Sequence, residues 1–127
     1  MTMLKEERLV AFLSTADSKR ARAFYEDVLG LTFTGEHEYL VTFDWGSAGL
    51  KLQKADKVEP PHGTALSWTV QDLRETMRGL AARGVAFERY PDSHEQDEMG
   101  VWSPVPGQGV AWFKDPDGNL LALSGPI

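Results

Sequence analysis

The sequence predicts an α+β fold built from two tandem β-α-β-β-β modules, and three observations carry that reading. An alternating block, Val10–Asp17 (VAFLSTAD), recurs as Ala65–Asp72 (ALSWTVQD) at an offset of 55 residues. Each block leads into a helix-like stripe closed by a glycine, Gly30 in the first copy and Gly84 in the second. Short β-like runs then follow each helix. A repeat of this length is too long for a heptad and too few-fold for a solenoid, so it reads as two copies of one small α/β unit around one core. Function is expected between the copies.

Leu9–Ala16 alternates as a half-buried strand does, and Asp17 then offers a carboxylate to the free amides of a helix start. Ala21, Phe24, Tyr25, Val28 and Leu29 share one helical face, so the first helix is expected over Ser18–Leu29. Gly30 suits its left-handed stop. Strands are expected at Leu31–Thr34, Glu38–Trp45 and Gly49–Gln53. Consecutive prolines supply no ladder donors, so Pro60-Pro61 marks residues 54–63 as a linker between modules of about 8–53 and 64–124. In the second module Asp72 caps a helix over Leu73–Arg83, with Leu73, Met77, Leu80 and Ala81 as its stripe. Strands follow at Val85–Arg89, Gly109–Lys114 and Leu120–Ser124. Pro91–Gln108 is expected as a long irregular loop, a length usually functional or mobile in a compact domain.

Composition limits the functions available. At 127 residues the chain is one domain's worth, large enough for a real core. Its net charge of -6 opposes nucleic acid and anionic membrane as partners, because both need a basic surface to displace counterions. With no cysteine, disulfides, thiolate catalysis and thiolate metal sites are excluded. The charged start MTMLKEERLV has no apolar stretch behind it long enough for a signal peptide or a membrane span, so a cytoplasmic protein is expected.

The repeated unit, the Asp-capped helix with Phe24-Tyr25 and Leu29-Gly30, and the turn Asp115-Pro116-Asp117-Gly118-Asn119 together resemble the vicinal-oxygen-chelate superfamily over residues 8–124. That superfamily holds glyoxalases, bleomycin-resistance proteins and extradiol dioxygenases. The resemblance implies strands of both modules curled as a mixed sheet around a cleft, helices outside, and a homodimer. In the enzymes it also implies a divalent metal held by His, Glu or Gln from the first and fourth strands of each module. Those positions fall here on Val10, Lys51, Ala65 and Ala122. Alkyl groups have no lone pairs and an ammonium only donates, so no metal and no other cofactor is expected.

Strand parity indicates what the cleft offers instead. If Val10 faces inward, so do Phe12 and Ser14; Ser67 goes with Ala65, and Gln53 with Lys51. The alternate set, including Leu13, Leu50, Leu52, Leu66, Leu121 and Leu123, is apolar and suits the core. With Phe113 in the core, Trp112 turns to the cleft. The candidate ligand contacts are therefore Phe12, Ser14, Lys51, Gln53, Ser67, Trp102 and Trp112. Lys51 equally suits a rim position with its charge in water, and Trp102, in the long loop, is either a lid residue or a packing plug.

The leading reading is a metal-independent binding protein for a small, partly aromatic molecule, with Lys51 favouring an anionic or neutral ligand over a cationic one. The competing reading is a metal-dependent lyase, isomerase or dioxygenase with ligands drawn from His37, His62, Glu88, His94 or Glu95. The three histidines all lie off the cleft-facing strand positions and are expected in solvent. A third reading is a regulatory partner whose cleft is filled by Trp112 and Phe12.

Overall fold

A computed structural model describes residues 3–127. The chain is α+β and divides between Pro60 and Pro61 into two units, each built on a mixed four-stranded sheet.

In the first unit the strands are β1 (Val10–Thr15), β2 (Thr32–Glu36), β3 (Leu40–Trp45) and β4 (Ala48–Lys54), in the order β1-β4-β3-β2. β1 runs parallel to β4, with Leu13 beside Leu52, and β4 is antiparallel to β3, with Leu50 beside Phe43 and Leu52 beside Val41. These partners share a face, and all five side chains are buried there. Burying each is worth about 1.5–3 kcal/mol. Ala21 and Tyr25 from the helix are also fully enclosed, and the Tyr25 ring lies 5.8 Å from that of Phe43.

The first helix departs from the expected Ser18–Leu29. It is α-helical over α1 (Ser18–Ala23), where Asp17 accepts from the Arg20 amide, and then widens to a π-helical turn over Phe24–Val28. The Leu29 amide reaches back to Phe24, which leaves the Tyr25 carbonyl for the Leu31 amide beyond Gly30. Gly30 stands at φ 78°, the left-handed stop the sequence suggests. Two bulky neighbours, Phe24 and Tyr25, sit edge to face at 5.2 Å inside this wide turn.

The second unit holds β5 (Leu66–Thr69), α2 (Leu73–Ala82), β6 (Trp102–Val105), β7 (Gln108–Lys114) and β8 (Leu120–Pro126), in the order β5-β8-β7-β6. β5 is parallel to β8, as β1 is to β4. The core row Leu66, Leu121 and Phe113 follows from the register, and Leu73 and Met77 of α2 are buried with it. α2 packs on β8. Asp72 caps α2 through the Glu75 amide, and the helix ends with the Val85 amide on the Leu80 carbonyl.

One expected strand is replaced here. Val85–Arg89 forms no strand; its backbone meets β7 at the Phe87 to Phe113 bridge and at the Glu88 amide on the Trp112 carbonyl, at 2.7 Å. The other part of that β7 edge pairs with β6, inside the stretch expected to be irregular, with Trp102 opposite Val110. The Gln96 side chain does what a strand neighbour would. Its amide nitrogen donates to the Glu88 and Gly100 carbonyls, at 3.0 and 2.9 Å, and its oxygen accepts from the Tyr90 amide. A side chain thus satisfies backbone groups that sequence periodicity assigns to a ladder.

The β7–β8 hairpin turns on a buried pair. Asp115 accepts from the amides of Asp117 and Asn119, both at 2.9 Å, and from the Asn119 side chain at 2.8 Å. Gly118 stands at φ 87° within it. Gly118→Ala is expected to lower stability by about 1 kcal/mol, because a β-carbon is strained at that φ; chemical denaturation checks this, and an unchanged midpoint would contradict it.

Candidate ligand-binding faces

Because leucines and Phe43 take one face of the first sheet, the alternate residues take the other. Register places Phe12, Lys51 and Thr42 in one row, Val10, Gly49 and Asp44 in the next, and Ser14, Gln53 and Leu40 in a third. Phe12 is 58% exposed, a large value for an aromatic strand residue, and the Lys51 ammonium stands 5.8 Å from its ring centre. In the second sheet the corresponding rows are Ser67, Ala122 and Trp112, then Thr69, Ser124, Val110 and Trp102.

The second unit gathers four rings on this face. Trp102 and Trp112 lie 6.0 Å apart at 28° to each other. His94 stands edge-on to Trp102 at 4.6 Å and tilted over Trp112 at 5.0 Å. Tyr90 meets Trp112 edge to face at 5.5 Å. All four are half-buried. Burial pushes the Tyr90 hydroxyl above its usual range, with the Glu88 charge adding to the shift and Lys114 opposing it. Tyr90 therefore stays neutral and able to donate at physiological pH.

The segment that carries Tyr90 and His94 is tied down. Besides Gln96, Asp97 accepts from the Met99 and Val101 amides at 3.0 Å and pairs with Arg74 of α2 at 2.7 Å. The Arg89 guanidinium donates to the carbonyls of Asp97 and Glu98. Trp102 and Trp112, both expected as ligand contacts from the sequence, are thus brought together. Tyr90 is not among the contacts expected from the sequence, and His94, expected in solvent, instead lies half-buried against Trp102 and Trp112. Parity continued one residue beyond the expected strand would have put Tyr90 on the face opposite to core-facing Phe87, the face that carries Trp112. His94 follows in a tight turn, its amide on the Tyr90 carbonyl at 2.9 Å and its ring 2.8 Å from the Ser93 hydroxyl, a turn that strand parity does not foresee.

Residues 8–123 match the family described as the glyoxalase/bleomycin resistance protein/dioxygenase superfamily. The chain belongs to this superfamily. Its fold is shared with a Bacillus anthracis protein described as of the glyoxalase family, at TM-score 0.74 and 15% identity over 96% of each chain. It is shared too with TnmS3, an antibiotic binding protein from Streptomyces sp. CB03234, at TM-score 0.71 and 20% identity over 98% of this chain and 99% of that one. A glyoxalase/bleomycin resistance protein/dioxygenase from Alicyclobacillus acidocaldarius matches at TM-score 0.69 and 17% identity, over 96% and 92%. Comparison with curated proteins gave no match.

The divalent metal of the superfamily's enzymes does not fit this donor set. Ala122 is a buried methyl between Ser67 and Trp112, Val10 an alkyl beside Gly49, and Lys51 a cation. The other candidate donors are engaged or exposed: Glu88 pairs with Lys114 at 3.4 Å, His94 lies among the rings, and the His37 ring accepts from the Tyr39 amide at 3.1 Å. Among the described residues no three His, Asp or Glu side chains converge as a cation site. No helix among them is long and apolar enough to cross a membrane.

Asp97 gives this face a pH dependence. Burial pushes its carboxyl up, but the Arg74 hydrogen bond and charge and the Val101 and Met99 amides together hold it below the usual range. A depressed folded value means the stabilisation is full above the ordinary carboxylate value of about 4 and fades as pH falls through the folded one. The Met99 and Val101 amide resonances are expected to shift below pH of about 4, and in Asp97→Asn to be shifted already at neutral pH. Unmoved amides in that variant would contradict the anchoring role.

Proposed function

We propose that the protein binds a small, partly aromatic organic molecule without a metal ion, and that its specificity lies in ring stacking rather than coordination. The observation that carries this is the cluster of Trp102, Trp112, His94 and Tyr90 on the open side of the second sheet. Half-exposed indoles offer flat apolar area, while the Tyr90 hydroxyl, the imidazole and the nearby Ser67 and Thr69 hydroxyls supply the few polar groups that orient a ligand. Phe12, Ser14, Lys51 and Gln53 are proposed contacts on the first unit's open face. The antibiotic-binding description of TnmS3, a protein of the same fold, supports small-molecule capture as a use of this scaffold. A homodimer belongs to the same proposal, on the habit of the superfamily.

The test is a titration of planar aromatic amides and acids, with saturated-ring counterparts, read by indole fluorescence and checked by native mass spectrometry. Aromatic members are expected to bind more tightly than saturated ones, and Trp112→Ala to keep the fold while weakening them by about 1–3 kcal/mol. Equal affinity of the variant and the parent would sink the proposal.

Metal independence is tested separately. Isothermal titration with Zn²⁺, Ni²⁺ and Mn²⁺ should give no tight site, because alkyl side chains cannot coordinate and Lys51 opposes a cation. A one-to-one isotherm abolished by substitution at Glu88 or His94 would restore the metalloenzyme reading.

A further inference from the structure

The first unit carries a concave site of different chemistry. A cavity of about 370 Å³ opens on the side of the sheet away from the leucines, bordered by the side chains of Arg8, Val10, Thr34, Thr42, Asp44 and Lys51. Phe43 and Leu50 send their side chains into the core, so they give the cavity floor only backbone.

Arg8, just before β1, is seated there by an absence. A β-carbon at Gly49 would come within 2.5 Å of its Nη2 and 3.2 Å of its Cζ, so the guanidinium occupies the space that residue 49 leaves empty. The Asp44 carboxylate, the register neighbour of Gly49, accepts from the same Nη2. Among the described residues Arg8 makes no other hydrogen bond, which leaves donors of its fork unused. Lys51 has no ion-pair partner among them, and it stands next to Thr42, whose hydroxyl is 2.8 Å from that of Thr34.

Arg8 and Lys51 against Asp44 leave a local formal charge of +1, in a chain whose net charge is -6. One monoanion neutralises that excess, whereas a phosphate dianion would overshoot it. We propose that this cavity binds the carboxylate of a small organic acid, held by the free edge of the Arg8 fork and by Lys51, with the hydrocarbon part against Val10 and the threonine methyls. The site goes beyond the aromatic face and does not depend on it.

The probe is cyclohexanecarboxylate, which has no ring to stack on indole, against its neutral isostere cyclohexanecarboxamide. Both are titrated into ¹⁵N-labelled protein at fixed ionic strength and followed by amide NMR. Saturable shifts are expected at Thr42, Asp44 and Gly49 with the acid, and binding of the amide about tenfold weaker or less. Arg8→Gln should weaken the acid about tenfold, and Lys51→Met about fivefold. Arg8→Lys should restore only part of the loss, because an ammonium lacks the planar fork. Gly49→Ala is the decisive variant, since it keeps both charges and unseats the guanidinium; about a fivefold loss is expected. The same spectra report the fold of each variant. Equal binding of acid and amide, no shifts at these three amides, or Gly49→Ala binding as the parent does would each overturn the proposal. Failure here leaves the aromatic-face reading intact, because that is read by indole fluorescence with aromatic probes.

Discussion

The parallel pairing of each module's first strand with its last is the constraint on which the rest depends. β1 on β4 and β5 on β8 bring together strands far apart in sequence, and once their register is set every side chain on both is committed to one face or the other. A slip of one residue would bury Lys51 and Ser67 and expose Leu52 and Leu121. The leucine side, driven by burial, therefore determines what the opposite side can present. The open faces are what remains after the core has taken its share.

Much of this was legible in the sequence. The alternation of Val10–Thr15 and Leu66–Thr69, the two aspartate caps and the glycine stops are local signals, and the structure keeps them. Contacts between distant residues leave no such signal. The π-helical turn at Phe24–Val28 sets Tyr25 against Phe43, a contact between residues distant in sequence that local periodicity does not show. The edge of β7 offers the same lesson. Residues 85–89 look like a strand because they are apolar and β-branched or aromatic in part, yet the Glu88 carbonyl and the Tyr90 amide are met by the Gln96 side chain, whose role no periodicity can reveal. The rings of the candidate site were half legible: the two indoles by parity, the histidine not at all.

The two open faces differ in how they are built. In the second unit, aromatic area is assembled on a segment fixed by the Asp97 carboxylate and the Gln96 amide, with few formal charges among the rings. In the first unit, charges are arranged with little aromatic area beyond Phe12, and a missing side chain at position 49 does the positioning. Duplication followed by divergence would produce this contrast, since the same backbone register places a side chain on each face without specifying its chemistry.

Gln96 and Asp97 hold residues 88–101 in place by side chains rather than by a continuous ladder. The sheet beneath is then indifferent to what the segment carries between its anchor points. Tyr90 and His94 can be exchanged for other residues without altering a strand pairing, as long as the two anchors stay. The scaffold thus separates heritable architecture from adjustable recognition, and selection for a new ligand could act on the side chains carried between the anchors.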